Sequence, residues 1–187
     1  NDLAVQGNYV YIASSDNAGE LTVVDISNPS APVVATKFNL TASNSGNANA
    51  DALAVLVGQN NDLYLTRVNS SGKEFYVFNI ANPTAPALSG SIDLNGDLKE
   101  IGKIGNYVYG ASSDNTQEFQ VIDVTTLSSP SMVAWLDLNE RATQPDALSI
   151  ATGNNTVYLG RDGSAAPEFY IIDVTNPLSP SIKSTLD

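Results

Sequence analysis

The stretch VVDISNPSAP at residues 23–32 decides the fold of this chain, because its pattern recurs three more times. The counterparts align without gaps as VFNIANPTAP (77–86), VIDVTTLSSP (121–130) and IIDVTNPLSP (171–180). In each copy an apolar run ends at Asp or Asn and is followed by a turn that contains Pro. Proline presets φ and cannot pair inside a strand, so each copy predicts a strand that ends at a tight turn.

Further apolar runs lie upstream of each copy. The nearer run contains Tyr, as in YVYIAS (9–14), and the run before it opens with Asp. Each unit is therefore about 45–50 residues long, a length typical of propeller blades. The predicted repeats lie within one domain, 1–187, and cover residues 2–40, 51–94, 97–138 and 146–187.

The repeats are of two kinds. The first and third share GNYVYxASSDN, at 7–17 and 105–115, whereas the second and fourth share DAL and a basic residue after the Tyr run, Arg67 and Arg161. The order is A-B-A-B, and duplication of a two-repeat unit explains it most simply. We predict four strands in each repeat. Strand a follows the Asp, strand b is the run that contains Tyr, strand c is the apolar run that ends at Asp or Asn, and strand d follows the turn that contains Pro.

Strand c is apolar on both faces in the fourth repeat. Phe169 and Ile171 point to one face, and Tyr170 and Ile172 point to the other, because side chains alternate along a strand. Such a strand is covered on both sides, which favours blades stacked face to face. No segment carries a convincing helical period. The predicted fold class is all-β, with four tandem four-stranded antiparallel repeats that form propeller blades.

Composition excludes several functions. Twenty Asp and Glu oppose eight Lys and Arg, which gives a formal net charge of −12 and disfavours binding to nucleic acid or to anionic membranes. The absence of Cys and His excludes disulfides, thiolate metal sites and a Ser-His-Asp triad. No apolar run reaches the roughly 18 residues of a membrane span.

The pattern GNYVYIA followed by LTVVDISNPSAP resembles the LVIVD repeat of prokaryotic cell-surface and secreted proteins. The resemblance covers all four repeats, although Asn79 replaces the usual Asp, and Thr126 and Leu127 replace the usual Asn-Pro. It implies a β-propeller and an extracellular location, and it implies no catalytic residues. Four repeats could close alone, associate with a second copy, or adjoin flanking repeats of a longer chain.

An acidic residue precedes strand a in every repeat: Asp2, Asp51, Asp97 and Asp146. If strand a is innermost, these carboxylates ring one mouth of a central channel. There they could hold Ca²⁺, which takes about six to eight oxygen ligands. The alternative is that each Asp accepts hydrogen bonds from backbone N–H groups of its own turn.

A second acidic residue opens strand c in every repeat: Glu20, Glu74, Glu118 and Glu168. The preceding loops SSDNAGE (14–20) and SSDNTQE (112–118) are rich in Asp and Asn but lack EF-hand spacing. A solvated turn, or an ion pair with a basic residue, is the alternative role. Arg67 and Arg161 predict an ion pair with Asp or Glu of the adjacent repeat, which holds the A-B order in register. An anionic ligand such as a carboxylated sugar is their other possible partner.

Three function classes follow from these residues. The favoured class is a non-enzymatic extracellular scaffold or adhesion module that presents propeller-face loops to a protein or a glycan. The others are a calcium-stabilised module of a surface layer or filament, and a glycosidase with two carboxyl groups about 5–10 Å apart. A catalytic pair normally breaks repeat symmetry, whereas these carboxylates recur in every repeat. Trp135, on strand d at the outer edge of a blade, is expected to serve packing rather than sugar binding.

Overall fold

The computed structural model describes residues 1–40, 50–69, 72–138, 145–163 and 167–187. These residues form sixteen strands in four antiparallel four-stranded sheets, called blades 1 to 4 in chain order. They form no helix, and so none that is long and apolar enough to cross a membrane. The prediction of an all-β fold with four four-stranded repeats is confirmed.

Each blade is a meander in which consecutive strands, a to d, are neighbours. Blade 1 contains β1 (Leu3–Gln6), β2 (Tyr9–Ala13), β3 (Leu21–Asp25) and β4 (Val33–Phe38). Blade 2 contains β5 (Ala52–Val57), β6 (Asp62–Arg67), β7 (Phe75–Asn79) and β8 (Ala87–Ile92). Blade 3 contains β9 (Leu98–Ile104), β10 (Tyr107–Ser112), β11 (Phe119–Asp123) and β12 (Ser131–Leu136). Blade 4 contains β13 (Ala147–Gly153), β14 (Thr156–Arg161), β15 (Phe169–Asp173) and β16 (Ser181–Leu186).

The chain divides into two compact units, Asn1–Asp97 and Leu98–Asp187. Unit 1 contains blades 1 and 2, and unit 2 contains blades 3 and 4. Each unit therefore holds one A-B pair of repeats. That all four repeats form a single domain stays a prediction.

Each unit has its own apolar core between its two blades. In unit 1, Tyr11 and Leu21 of blade 1 pack with a group from blade 2 that includes Leu65 and Phe78. In unit 2, the corresponding core includes Tyr109, Phe119, Leu159 and Tyr170. The two faces of a blade can thus be told apart by which of them enters this core.

All four blades share one irregularity between strands c and d. The register shifts at the same point of strand c in each blade, between Val23 and Val24, Val77 and Phe78, Val121 and Ile122, and Ile171 and Ile172. A bulge of this kind bends the strand and increases its twist. The shared register allows each position in one blade to be matched with the same position in the other three.

The burial of strand c differs among the blades. Every residue from Phe75 to Phe78 in β7 and from Phe119 to Ile122 in β11 is buried. The prediction that strand c of blade 4 is covered on both faces is wrong, because Phe169 is 37 % exposed. Tyr170 enters the core of unit 2, and Phe169 points to the opposite face of the sheet.

Candidate functional site

Two oppositely charged side chains are enclosed where blades 1 and 2 meet. Arg67, the last residue of β6, is 0 % exposed, and its Nη2 lies 3.3 Å from Oε1 of Glu20. Arg67 also donates from Nε to the backbone oxygen of Ala50 at 3.0 Å and from Nη1 to the Tyr76 hydroxyl at 3.3 Å. The guanidinium of a B repeat is thereby tied to the carboxylate of the A repeat before it.

The same carboxylate also joins the two ends of its own blade. Oε2 of Glu20, just before strand c, accepts a hydrogen bond from the backbone N–H of Leu40, just after strand d, at 2.9 Å. The equivalent bonds in blades 2 and 3 join Glu74 to Leu94 at 2.7 Å and Glu118 to Leu138 at 2.9 Å. Glu168 of blade 4 is exposed instead.

Unit 2 repeats the arrangement with a longer ion pair. Nη2 of Arg161 lies 4.0 Å from Oε1 of Glu118, and both side chains are buried. Arg161 donates to the backbone oxygens of Leu138 at 2.8 Å and Pro145 at 3.0 Å, and to the hydroxyl of Tyr170 at 2.9 Å. Backbone carbonyls therefore hold this guanidinium more closely than its carboxylate partner does.

The surroundings of Arg67 and Arg161 bear on their two predicted roles. Both guanidinium groups are enclosed, so an anionic ligand could reach them only if the core opened. Each lies beside a glutamate of the preceding repeat, which is the juxtaposition that a register role requires. That these ion pairs enforce the A-B order stays a prediction.

Tyr76 and Tyr170 complete the two arginine sites, and neither was among the site residues predicted above. The Cζ atom of Arg67 lies 5.9 Å from the ring centre of Tyr76, and that of Arg161 lies 5.5 Å from the ring centre of Tyr170. A cation over an aromatic face is attracted by the ring quadrupole. The sequence does carry a signal, since A repeats have Thr22 or Gln120 at this position of strand c.

Asp2 joins blade 1 to blade 2 through a backbone amide. Its Oδ2 accepts a hydrogen bond from the N–H of Val55 in β5, at 3.1 Å. In unit 2 the same bond is made by Glu100, whose Oε2 accepts from the N–H of Ile150 in β13, at 2.9 Å. Glu100 was not predicted, although aligning the A repeats on GNYVY places it opposite Asp2.

Asp51, Asp97 and Asp146 are equivalent to one another, because the residue after each pairs with the last residue of strand b. Asp97 accepts a hydrogen bond from the N–H of Asn69 through its carboxylate. Asp51 and Asp146 accept bonds through their backbone oxygens. Among the described residues, no group of three or more acidic side chains is arranged to hold a metal ion. Calcium binding by Asp2 and these residues stays a prediction.

Burial makes the carboxyl of Glu118 a weaker acid. Removal from water raises the pKa of its carboxyl, and this effect outweighs the hydrogen bond from Leu138 and the charge of Arg161, which both lower it. The carboxyl of partly exposed Asp16 behaves in the opposite way, because its hydrogen bond from Lys37 lowers its pKa. The folded protein therefore holds a proton on Glu118 more tightly than the unfolded chain does.

We expect Glu118→Gln to become less destabilising as the pH rises from about 4.5, the ordinary pKa of a glutamate, towards neutrality. Wild type loses stability over this window, because the folded state must release a proton that it holds more tightly. Glutamine can still accept the bond from Leu138 but does not ionise, so the variant lacks this loss. Urea unfolding followed by the fluorescence of Trp135, the only Trp of the sequence, measures it in unit 2.

Glu168→Gln is the matched control, since Glu168 occupies the equivalent position but is exposed. Its effect on the free energy of unfolding should not follow the pattern of Glu118→Gln. A destabilisation by Glu118→Gln that stays constant or grows with pH would contradict the raised pKa.

Trp135 is not packed as expected, since it is 51 % exposed on β12. It lies beside a cleft of about 300 Å³. Val133 and Ala134 of the same strand line the cleft together with Leu178, Ser179 and Pro180 of the c–d turn in blade 4. The apolar body and the single N–H of a tryptophan suit partly wet contact surfaces. The sequence did not predict this exposure, because a single aromatic residue in a strand does not indicate whether its face is covered.

The repeats match a known family over most of their length. A family model described as the LVIVD repeat matches residues 1–40, 68–94, 95–137 and 150–187. No curated protein matches the sequence.

Several solved structures share the fold at low sequence identity. A protein from Lactobacillus plantarum is 13 % identical with a TM-score of 0.81, and the match covers 99 % of this chain and 56 % of that one. A functionally unknown protein from Desulfotomaculum acetoxidans DSM 771 is 13 % identical with a TM-score of 0.67, and the match covers 99 % and 55 %. The Bacteroides ovatus Xyloglucan PUL GH43B is 15 % identical with a TM-score of 0.55, and the match covers 97 % and 39 %. The chain spans about half the length of the first two, and the likeness shows a propeller-type fold.

Proposed function

Because the chain belongs to the LVIVD-repeat family, we propose that it is a non-enzymatic extracellular module that binds a protein or a glycan through loops at the ends of its blades. The family's occurrence in prokaryotic surface proteins supports the extracellular location. One observation carries the proposal: the c–d loop of blade 4, at 178–180, lines a cleft together with the exposed Trp135 of the neighbouring strand d in blade 3.

The recurring charged residues support a role without turnover. The carboxylates of Glu20, Glu74 and Glu118 each accept a hydrogen bond from the backbone of their own blade. Arg67 and Arg161 are enclosed with two of them. Groups held in this way stabilise strand ends and lie away from any substrate in solvent. A glycosidase would instead need two carboxyl groups facing an open site.

The cleft beside Trp135 has the chemistry of a binding surface. Tryptophan presents a large and rigid apolar area, and it is enriched among the residues that dominate binding energy. Ser179 and the turn backbone add polar groups to the lining of the cleft. The net charge of −12 repels acidic partners, so we propose a neutral glycan or a neutral to basic protein as the ligand class.

Trp135 provides its own test, because its fluorescence arises from a single site. We expect a saturable change in its emission when the chain is titrated with one member of a panel of neutral polysaccharides and neutral to basic surface proteins. Calorimetry on Trp135→Ala should then show binding weaker by about 30-fold or more, as for a hot spot of about 2 kcal/mol.

Val33→Ala serves as the control, since Val33 is exposed but belongs to unit 1 and does not line this cleft. It should bind like wild type. If binding survived Trp135→Ala, the contact surface would not include Trp135. Release of products from any polysaccharide in the panel by wild type would overturn the non-enzymatic role.

A further inference from the structure

Blade 1 exposes an apolar face. Its members alternate along the strands and pair directly across them, as Leu3 does with Ile12 and Val10 with Val24. Leu3 is 60 % exposed and Val5 is 56 % exposed, although both lie within a strand. The head face is defined here by Leu3, Val5, Val10, Ile12, Val24 and Val34.

Blade 4 exposes a second apolar face of different composition. The rings of Tyr158 and Phe169 are stacked with centres 6.3 Å apart and an angle of 11° between their planes. Phe169 pairs with Leu186, which is 67 % exposed. The tail face is defined here by Tyr158, Phe169, Ile171 and Leu186.

Each of these faces has a buried counterpart within the same chain. The positions in blade 2 that correspond to Leu3, Val10, Ile12 and Val24 are Val55, Leu63, Leu65 and Phe78. All four of these blade 2 residues belong to the core of unit 1, where they pack on blade 1. The head face is thus the surface that a blade uses to contact the blade before it.

The tail face has its counterpart in blade 3. Tyr109 and Phe119 occupy the positions of Tyr158 and Phe169, and they stack in the same way, with centres 5.9 Å apart and an angle of 14°. Both belong to the core of unit 2, where they pack on blade 4. The tail face is thus the surface that a blade uses to contact the blade after it.

From this correspondence we propose that the chain associates head to tail with a second copy, the tail face of one copy packing on the head face of the next. Both halves of a blade–blade contact are present, and each is exposed. The chain's own blade–blade contacts therefore specify the partner of each face. The tail face, with its stacked Tyr and Phe rings, packs on the aliphatic head face of another copy. Such a contact is heterologous, so it either closes a ring or continues into longer chains.

Charge gives the association a characteristic dependence on salt. Each copy carries a net charge of −12, so two copies repel each other at long range. Salt screens this repulsion, while the apolar contact does not depend on opposite charges. We expect the association to strengthen as the ionic strength is raised, the reverse of what an interface held by ion pairs would show.

Sedimentation of the 187-residue chain at increasing concentration tests the proposal. Wild type should form dimers or longer assemblies, whereas Val5→Lys and Phe169→Asp should each sediment as monomers. Val5→Lys keeps the blade intact, because blade 3 carries Lys103 at the equivalent position. Val33→Lys is the control, since Val33 is exposed on blade 1 but lies off the head face, and it should associate like wild type.

Mixing the two monomeric variants gives the sharpest result. Val5→Lys retains an intact tail face and Phe169→Asp retains an intact head face, so an equimolar mixture should form a complex of one copy of each. Circular dichroism of both variants should match wild type, since both positions are exposed. A wild-type chain that stays monomeric at high micromolar concentration, or a mixture that stays monomeric, would overturn the proposal. Association that resists both substitutions would do so as well.

Discussion

Replacing Arg67 by Met will destabilise unit 1 by about 3–5 kcal/mol, the range found when one partner of a buried ion pair is removed. Methionine fills a similar volume but leaves the carboxylate of Glu20 enclosed without its cation. The variant also removes the donors to the backbone oxygen of Ala50 and to the hydroxyl of Tyr76. Hydrogen exchange of peptides from unit 1, combined with urea unfolding followed by circular dichroism, will measure the loss.

Lys37→Met is the matched control, because Lys37 forms an ion pair with Asp16 in the same unit but both side chains are about two-fifths exposed. An exposed pair contributes about 0–1 kcal/mol, so this variant should change the free energy of unfolding little. If Lys37→Met and Arg67→Met lowered the free energy of unfolding equally, burial would not be the reason that the Arg67 ion pair stabilises unit 1.

The cost of Arg67→Met should fall when Glu20 is changed to Gln in the same chain. Glutamine keeps a carbonyl that can accept the hydrogen bond from Leu40, but it places no charge in the core. The double variant is therefore expected to be more stable than Arg67→Met alone. A double variant that loses the sum of both single effects would show that the two side chains are not coupled.

Repetition made most of the fold predictable from the sequence. Four gap-free copies of one strand-and-turn pattern fix the number of sheets, and the alternation within each copy fixes which residues share a face. What repetition cannot give is whether a face is covered. Phe119 and Phe169 occupy the same position of strand c, yet the first is buried and the second is exposed, because burial depends on a second sheet.

The candidate sites were predictable in kind but less so in detail. Matched arginines in B repeats indicated a partner in the adjacent repeat, but Asp and Glu candidates recur at the same spacing, so the sequence could not choose Glu20. The irregular pairing of strand a obscured a second correspondence. In blade 3 the register shifts between Leu98 and Glu100, so counting from Asp97 misses Glu100 as the counterpart of Asp2.

Leu65→Ala and Ile12→Ala should have very different effects on folding, although the two residues occupy the same position in blades 2 and 1. Leu65 is fully buried in the core of unit 1, so its truncation leaves a cavity and should cost about 2–5 kcal/mol. Ile12 is only partly buried on the head face, so its truncation should cost roughly 1 kcal/mol. Urea unfolding of dilute samples, in which the chain is monomeric, measures both.

When association is measured instead of folding, Ile12→Ala should have the larger effect and Leu65→Ala the smaller one. Ile12 lies on the surface proposed to contact a second copy, so Ile12→Ala should raise the concentration needed for assembly. Leu65→Ala lies inside unit 1 and should leave assembly of the folded fraction unchanged. Because the two residues occupy the same position in two blades, the difference between the variants reports whether that face of the sheet is covered. If Ile12→Ala destabilised the dilute monomer as much as Leu65→Ala, the head face would already be covered within a single chain.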